Sequence, residues 1–224
     1  MVDKEAYFTG GTIYSKALEL LAEVSPLRDR HAGLRFQPEV AALLVLDMQH
    51  YFLDEGSHAF IPSAPAIISG IAALVDAFRQ VGRPVIYTRH VNVPEDAGMM
   101  ARWWNDLIKP RSAHSQLALP VDPSHVTILE KTQYDAFHRT YLERTLRELK
   151  TEQVVICGVM THLCCESTAR AAFMHGFEVF FTVDGTATYN EALHRASMLT
   201  LSHGFAIPVL VDEILRLFEY DVSE

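Results

Sequence analysis

Six runs of mostly apolar, often β-branched residues punctuate the chain: AALLVLDM (41–48), RPVIYTR (83–89), SHVTILEK (124–131), QVVICGV (153–159), EVFFTVD (178–184) and AIPVLV (206–211). None shows the strict apolar–polar alternation of a sheet with one wet face. Near-continuous apolar runs belong to strands covered on both faces, so a mainly parallel sheet is predicted. Between the runs the period changes. Residues 64–82 repeat apolar positions at helical spacing and stop at Gly82, residues 138–150 mix the same spacing with charge, and residues 161–176 stop at Gly176. Strands alternating with helices require crossovers and predict a three-layer, doubly wound α/β domain with helices on both faces. Residues 40–224 are assigned to it. Residues 1–39 hold one weak amphipathic helix around Tyr14 to Glu23 and a polar connector, and are read as an arm packed on the domain or on a neighbouring subunit. The stretch 90–123 is long for a crossover and carries Trp103, Trp104 and several prolines.

Composition narrows the class of partner. Of 224 residues 49% are hydrophobic, enough for a sizeable core, and the net charge is −9 with no basic cluster. That balance argues against nucleic acid or an anionic membrane and for a small-molecule substrate. The first residues lack an apolar core followed by a cleavage site, and no stretch reaches membrane-spanning length, so a cytoplasmic location is expected. Cys157, Cys164 and Cys165 are odd in number and crowded together, which suits free thiols better than disulfides or a zinc site.

In an open parallel sheet ligands bind beyond the carboxyl ends of the strands. There the first run ends at Asp47, the third at Lys131, and the fourth reaches Cys164 after a turn at Gly158. Each alone has an ordinary reading: a capping acid, a surface lysine, a small core thiol. Together they supply what acyl transfer requires: a base, a charge partner that keeps it ionised, and a nucleophile near a helix N-terminus whose dipole favours thiolate.

Three segments in order, LLVLDMQHYF, EKTQYDAF and GVMTHLCCESTARAA, resemble the isochorismatase-like hydrolase superfamily, which includes nicotinamidases, N-carbamoylsarcosine amidases and isochorismatases. The resemblance covers about residues 40–215. It implies a six-stranded sheet of order 3-2-1-4-5-6, a catalytic triad of Asp47, Lys131 and Cys164, a cis Val159–Met160 peptide, and an oxyanion hole from the amides of Met160 and Cys164. It also implies a homodimer or homotetramer. Cys164 stands at the family's nucleophile position; Cys165 falls where an apolar residue is usual and, like Cys157, is read as core. The implied reaction is hydrolysis of a small carboxamide or ureido C–N bond through a thioester, without a cofactor.

The stretch YDAFHRTYLE, His162 and the N-terminal extension resemble the isochorismatase branch, where Asp47 would act as an acid on a vinyl ether. The retained cysteine favours amide chemistry. A binding module without activity, and a redox pair of Cys164 with Cys165, are weaker readings; neighbouring cysteines close only a strained ring. Nicotinamidases of the superfamily carry an Asp-x-His motif that binds a divalent metal. Here the loop reads LDEGSHAFIPS, without it, so no metal is expected and nicotinamidase activity is disfavoured; Asp54, His58 and His90 are the residues left that could meet around an ion. For the substrate pocket the candidates are Phe52, His90, Trp103, Trp104, Tyr134 and Phe137. Tyr134 resembles a substrate-lining tyrosine of isochorismatases, and Arg89 or Arg139 would bind a carboxylate, so a small, flat, anionic substrate is expected. Asp184 is read as fixing a turn.

Overall fold

A computed structural model describes residues 3–104, 106–119 and 126–220. The first two residues of the expected third strand, 124 and 125, and the last four of the domain lie outside these. The chain opens with α1 (Ile13–Arg28), then runs through β1 (Ala41–Leu46), α2 (His50–Leu53), α3 (Ala64–Gln80), β2 (Val85–His90), α4 (Met100–Trp103), β3 (Thr127–Lys131) and α5 (Leu142–Glu148). It continues with β4 (Gln153–Val159), a π-helical turn (Thr161–Cys165), α6 (Glu166–Met174), β5 (Glu178–Ala187), α7 (Glu191–Gly204), β6 (Ile207–Val209) and α8 (Val211–Tyr220).

The sheet has the order β3-β2-β1-β4-β5-β6, and every pairing is parallel. All residues of β1 and β4 are buried. That explains their unbroken apolar runs, since a central strand flanked by helices has no wet face to encode. Two segments depart from expectation. α5 begins at Leu142 rather than residue 138, because Arg139 adopts a positive φ of 55° that a helix cannot contain. The helix expected over 161–176 opens as a π-helical turn, with Cys165 N donating to Met160 O, five residues back, at 3.2 Å.

The arm is seated on this domain. α1 buries Ala17, Leu20, Leu21 and Val24, and Lys16 and Arg28 reach Glu191 and Glu213 at 2.5 and 2.9 Å. Ahead of it Tyr7 and Phe8 are buried, and the Tyr7 hydroxyl meets His194 Nδ1 at 2.9 Å. The apolar contacts carry this docking, because half-exposed ion pairs contribute little. Among the described residues no helix is long and apolar enough to cross a membrane.

Gly158 explains how β4 can run so close to β1 beneath the site. Its φ is +111°, and a Cβ there would stand 2.1 Å from Leu46 O. Both the backbone angle and the space exclude a side chain. Gly158→Ala is expected to destabilise the fold by well over about 1 kcal/mol, read as a lowered midpoint in urea or thermal unfolding; an unchanged midpoint would contradict the close approach.

Candidate active site

The carboxyl ends of four adjacent elements converge. Asp47 follows β1 with a φ of 50°, Thr88 and His90 lie on β2, Lys131 ends β3 in register with His90, and Cys164 sits in the π-helical turn after β4. Strand parity selects the β2 residues. Thr88 and His90 share the face toward Asp47 and Lys131, while Arg89 points away and pairs with Glu130. The peptide joining Val159 to Met160 is cis.

Asp47 and Lys131 are both fully buried and meet at 2.7 Å between Oδ2 and Nζ. The other carboxylate oxygen accepts from Thr88 Oγ1 at 2.6 Å, and the Asp47 amide donates to the same hydroxyl at 3.1 Å. Lys131 Nζ also contacts the Gln133 carbonyl at 3.0 Å and His90 Nδ1 and Cys164 Sγ at 3.3 Å each. Burial pushes the Asp47 carboxyl pKa upward, but Lys131, His90 and Thr88 together outweigh it and hold the group below its ordinary value. Burial likewise opposes the Lys131 charge, and Asp47 with Cys164 reverses the sign, raising its pKa. The pair is therefore ionised.

Cys164 differs from expectation. Burial, reinforced by the Asp47 charge, pushes its thiol up to about 12 against the opposing pull of Lys131. The helical segment opens at Thr161 and continues into α6, so the sulfur lies in its first turns, and the favourable dipole there is outweighed by burial. At rest the group is a thiol, with Lys131 Nζ directed at its sulfur at 3.3 Å. Cys165 and Cys157 are fully buried with raised pKa values, Cys157 against Leu44 O at 3.6 Å, and all three cysteines are free.

Cys164 faces a cavity of about 640 Å³ whose lining includes Phe52, His90, Trp104 and Tyr134 of the predicted pocket, together with Tyr51, Leu163 and Tyr189. Trp104 Nε1 donates to the Tyr134 hydroxyl at 2.8 Å. Trp103 and Phe137 do not line it. Consecutive residues at a helix end point about 100° apart, so Trp103, 71% exposed, faces solvent while Trp104 faces the cavity. Phe137 stacks instead on His175, with ring centres 4.8 Å apart. Arg89 and Arg139 are also absent from the lining, which removes the expected carboxylate clamp; the lysine that lines the cavity is Lys4 of the arm. Asp184, as expected, serves a turn, accepting from Val211 N at 2.7 Å.

The donors considered for a metal are dispersed among other partners. Asp54 pairs with His50 at 2.8 Å, His58 contacts Asp106 at 3.2 Å, and His90 is held between Lys131 and Asn92. Among the described residues, Asp47, His90 and Cys164 bring ligand atoms within 4.8 Å of one another. The Lys131 ammonium already stands 2.7 to 3.3 Å from all three. A divalent ion would have to share that space with a fixed positive charge, so this donor set does not fit a metal.

Hydropathy gave no sign of Thr88, Asn92 or Gln49. Gln49 is fully buried and clamps the His90 backbone from both sides, accepting from His90 N at 2.8 Å and donating to His90 O at 3.0 Å. The readable signal was only the i, i+2 pairing of Thr88 with His90 at a strand's carboxyl end.

A buried acid, lysine and thiol meet at the carboxyl edge of this sheet, and comparison with known proteins puts the chain in a family of hydrolases. The model for the isochorismatase domain matches residues 41–213, and the chain belongs to the isochorismatase family. It is 39% identical over 184 residues to Nicotinamidase 3 of Arabidopsis thaliana, covering 80% of this chain and 88% of that one. Enterobactin synthase component B of Escherichia coli K12 is 32% identical over 183 residues, covering 80% and 64% respectively. A cysteine hydrolase structure from Pseudomonas syringae pv. phaseolicola superposes with a TM-score of 0.79 at 25% identity, over 84% of this chain and 96% of that one.

The ion pair has consequences for stability. With Asp47 lowered and Lys131 raised, its contribution is intact from about pH 4 to about pH 10, being lost on acidification through the folded Asp47 value and on alkalinisation through the folded Lys131 value. Lys131→Met strands a buried carboxylate and is expected to cost about 3–5 kcal/mol at neutral pH, with Asp47→Asn/Lys131→Met recovering part of the loss. Urea unfolding of the three proteins checks this; a single variant as stable as wild type would contradict it.

Proposed function

We propose that the protein hydrolyses the C–N bond of a small, flat carboxamide through a Cys164 thioester. The observation that carries this is a thiol that faces an aromatic cavity and meets, at Lys131 Nζ, a buried ion pair with the Asp47 carboxylate. Asp47 takes the thiol proton as sulfur attacks the carbonyl carbon. The developing oxyanion is held by the amides of Met160 and Cys164; those of Leu163 and Cys165 are already committed to Met160 O at 3.1 and 3.2 Å. Asp47 then passes its proton to the leaving nitrogen, and ammonia departs. Water, deprotonated by Asp47, cleaves the thioester and releases the acid, and Asp47 returns the proton to the departing sulfur. Lys131 keeps Asp47 charged at the start of the cycle and offers an N–H to the thiolate.

Vinyl-ether hydrolysis is the competing reading, and it needs Asp47 to hold a proton at rest. An ammonium at 2.7 Å opposes that. A binding module without chemistry is disfavoured because a desolvated ion pair beneath a cavity-facing thiol serves binding of no apolar ligand. The name of the Arabidopsis relative supports testing nicotinamide first among the candidate amides. The missing Asp-x-His motif then means that the ring is gripped by Trp104, Tyr134 and Phe52 rather than through an ion.

Wild type, Cys164→Ala and Asp47→Asn should be compared on nicotinamide, other small carboxamides, ureido acids and isochorismate, following ammonia and pyruvate. Ammonia release is expected to fall by at least about 10³-fold in both variants. Pyruvate release from isochorismate that survives Cys164→Ala would overturn the proposal in favour of Asp47 as an acid.

A further inference from the structure

The open end of the cavity leads one step beyond the carboxamide reading, on which it rests. Cys164, buried, lies deep in the cavity, and Lys4 of the arm, which lines the same cavity but stays exposed, marks where it meets solvent. The arm's backbone is fixed on both sides of that lysine. Asn190 Nδ2 donates to Asp3 O at 3.0 Å, Glu5 N donates to Tyr189 O at 2.8 Å, and Tyr7 and Phe8 are buried just beyond. From this anchored backbone the Lys4 ammonium reaches the loop after α2, donating to His58 O at 2.6 Å and Phe60 O at 2.9 Å, and it lies 4.3 Å from the centre of the Tyr189 ring. A long side chain is thereby ordered before any ligand arrives, which lowers the entropy cost of binding to it.

These contacts leave its charge unanswered. Two carbonyls and a ring face attract a cation but carry no countercharge, and among the described residues no carboxylate pairs with Lys4. The nearby acids are engaged elsewhere. Asp106, the acid in the lining, accepts from the Tyr51 hydroxyl at 2.7 Å and meets His58 Nε2 at 3.2 Å, and the Glu5 carboxylate accepts from Glu191 N at 2.7 Å. Deeper in the molecule Asp47 is matched by Lys131. Burial lowers the Lys4 pKa with no carboxylate acting against it.

We propose that Lys4 is a specificity residue of this site, pairing with a carboxylate on the end of the substrate remote from the scissile amide. The substrate class is then a flat amide acid, with its carboxamide at Cys164, its body against Trp104 and Tyr134, and its negative charge at the arm. Lys4 thus takes the part expected of Arg89 or Arg139. No bond forms or breaks at Lys4; it supplies binding energy away from the reacting carbon.

The test compares 3- and 4-carbamoylbenzoate with the neutral 3- and 4-acetylbenzamides, titrated calorimetrically at low salt into Cys164→Ala protein so that no turnover intervenes. The same ligands are titrated into Cys164→Ala/Lys4→Met and Cys164→Ala/Lys4→Arg. The readout is the ratio of Kd values within each acid and neutral pair, in which any general loosening of the arm cancels. With Lys4 present, one acid at least is expected to bind about tenfold tighter than its neutral counterpart. The ratio is expected to fall to about one in the Met variant and to persist in the Arg variant. Failure of both acids to bind, equal affinity for acid and neutral amide with Lys4 present, or a preference that survives Lys4→Met would overturn the inference. Ammonia release by wild type from the same four compounds is followed separately. A charge preference without ammonia contradicts the hydrolase reading alone, and ammonia without a charge preference contradicts the assignment of Lys4 alone.

Discussion

A single buried ion pair organises this site. Desolvating a carboxylate and an ammonium costs several kcal/mol per ion, recovered only when geometry is good and the remaining donors and acceptors are met. Thr88 on β2 bonds the Asp47 carboxylate, and Gln133 O, His90 and Cys164 receive the N–H groups of Lys131, all at one edge of the sheet. Removing either charge would leave the others without a reason for their placement. The positive φ of Asp47 and the close approach of Gly158 to Leu46 are the backbone conditions for bringing those ends together.

The same pair separates two chemistries that the sequence leaves open. Histidine 162 and the stretch after Lys131 resemble the branch that protonates a vinyl ether, yet the lysine keeps Asp47 in the base form. The thiol complements it. Buried beside the Asp47 charge, it stays S–H, and burial outweighs the opposing pull of Lys131. On the proposed mechanism, activation waits for an electrophile that makes proton transfer to Asp47 worthwhile, which limits idle oxidation or alkylation of a free thiolate.

Much of this was legible in the sequence. The six apolar runs marked six strands because a sheet covered on both faces imposes that pattern, and Asp47, Lys131 and Cys164 stood out as polar residues where such strands end. Trp103 and Phe137 were misplaced, since their composition suits a pocket equally well and only the direction of the short α4 and the stacking on His175 assign them elsewhere. Thr88, Asn92 and Gln49 were invisible for another reason. Their contribution lies in matching individual donors to individual acceptors across strands, and hydropathy does not record it. The arm's delivery of Lys4 to the cavity wall was equally hidden, because residues far apart in sequence meet there only once α1 has docked.

The central claim is that Cys164, and not its neighbour, carries the acyl group. Acid quenching during turnover of the fastest amide, followed by intact-mass and peptide mass measurement, tests it directly. The account predicts an added acyl mass on the peptide spanning residues 158–172, located by fragmentation to Cys164. Sustained ammonia release with no adduct under conditions that trap thioesters, or an adduct on Cys165, would contradict it.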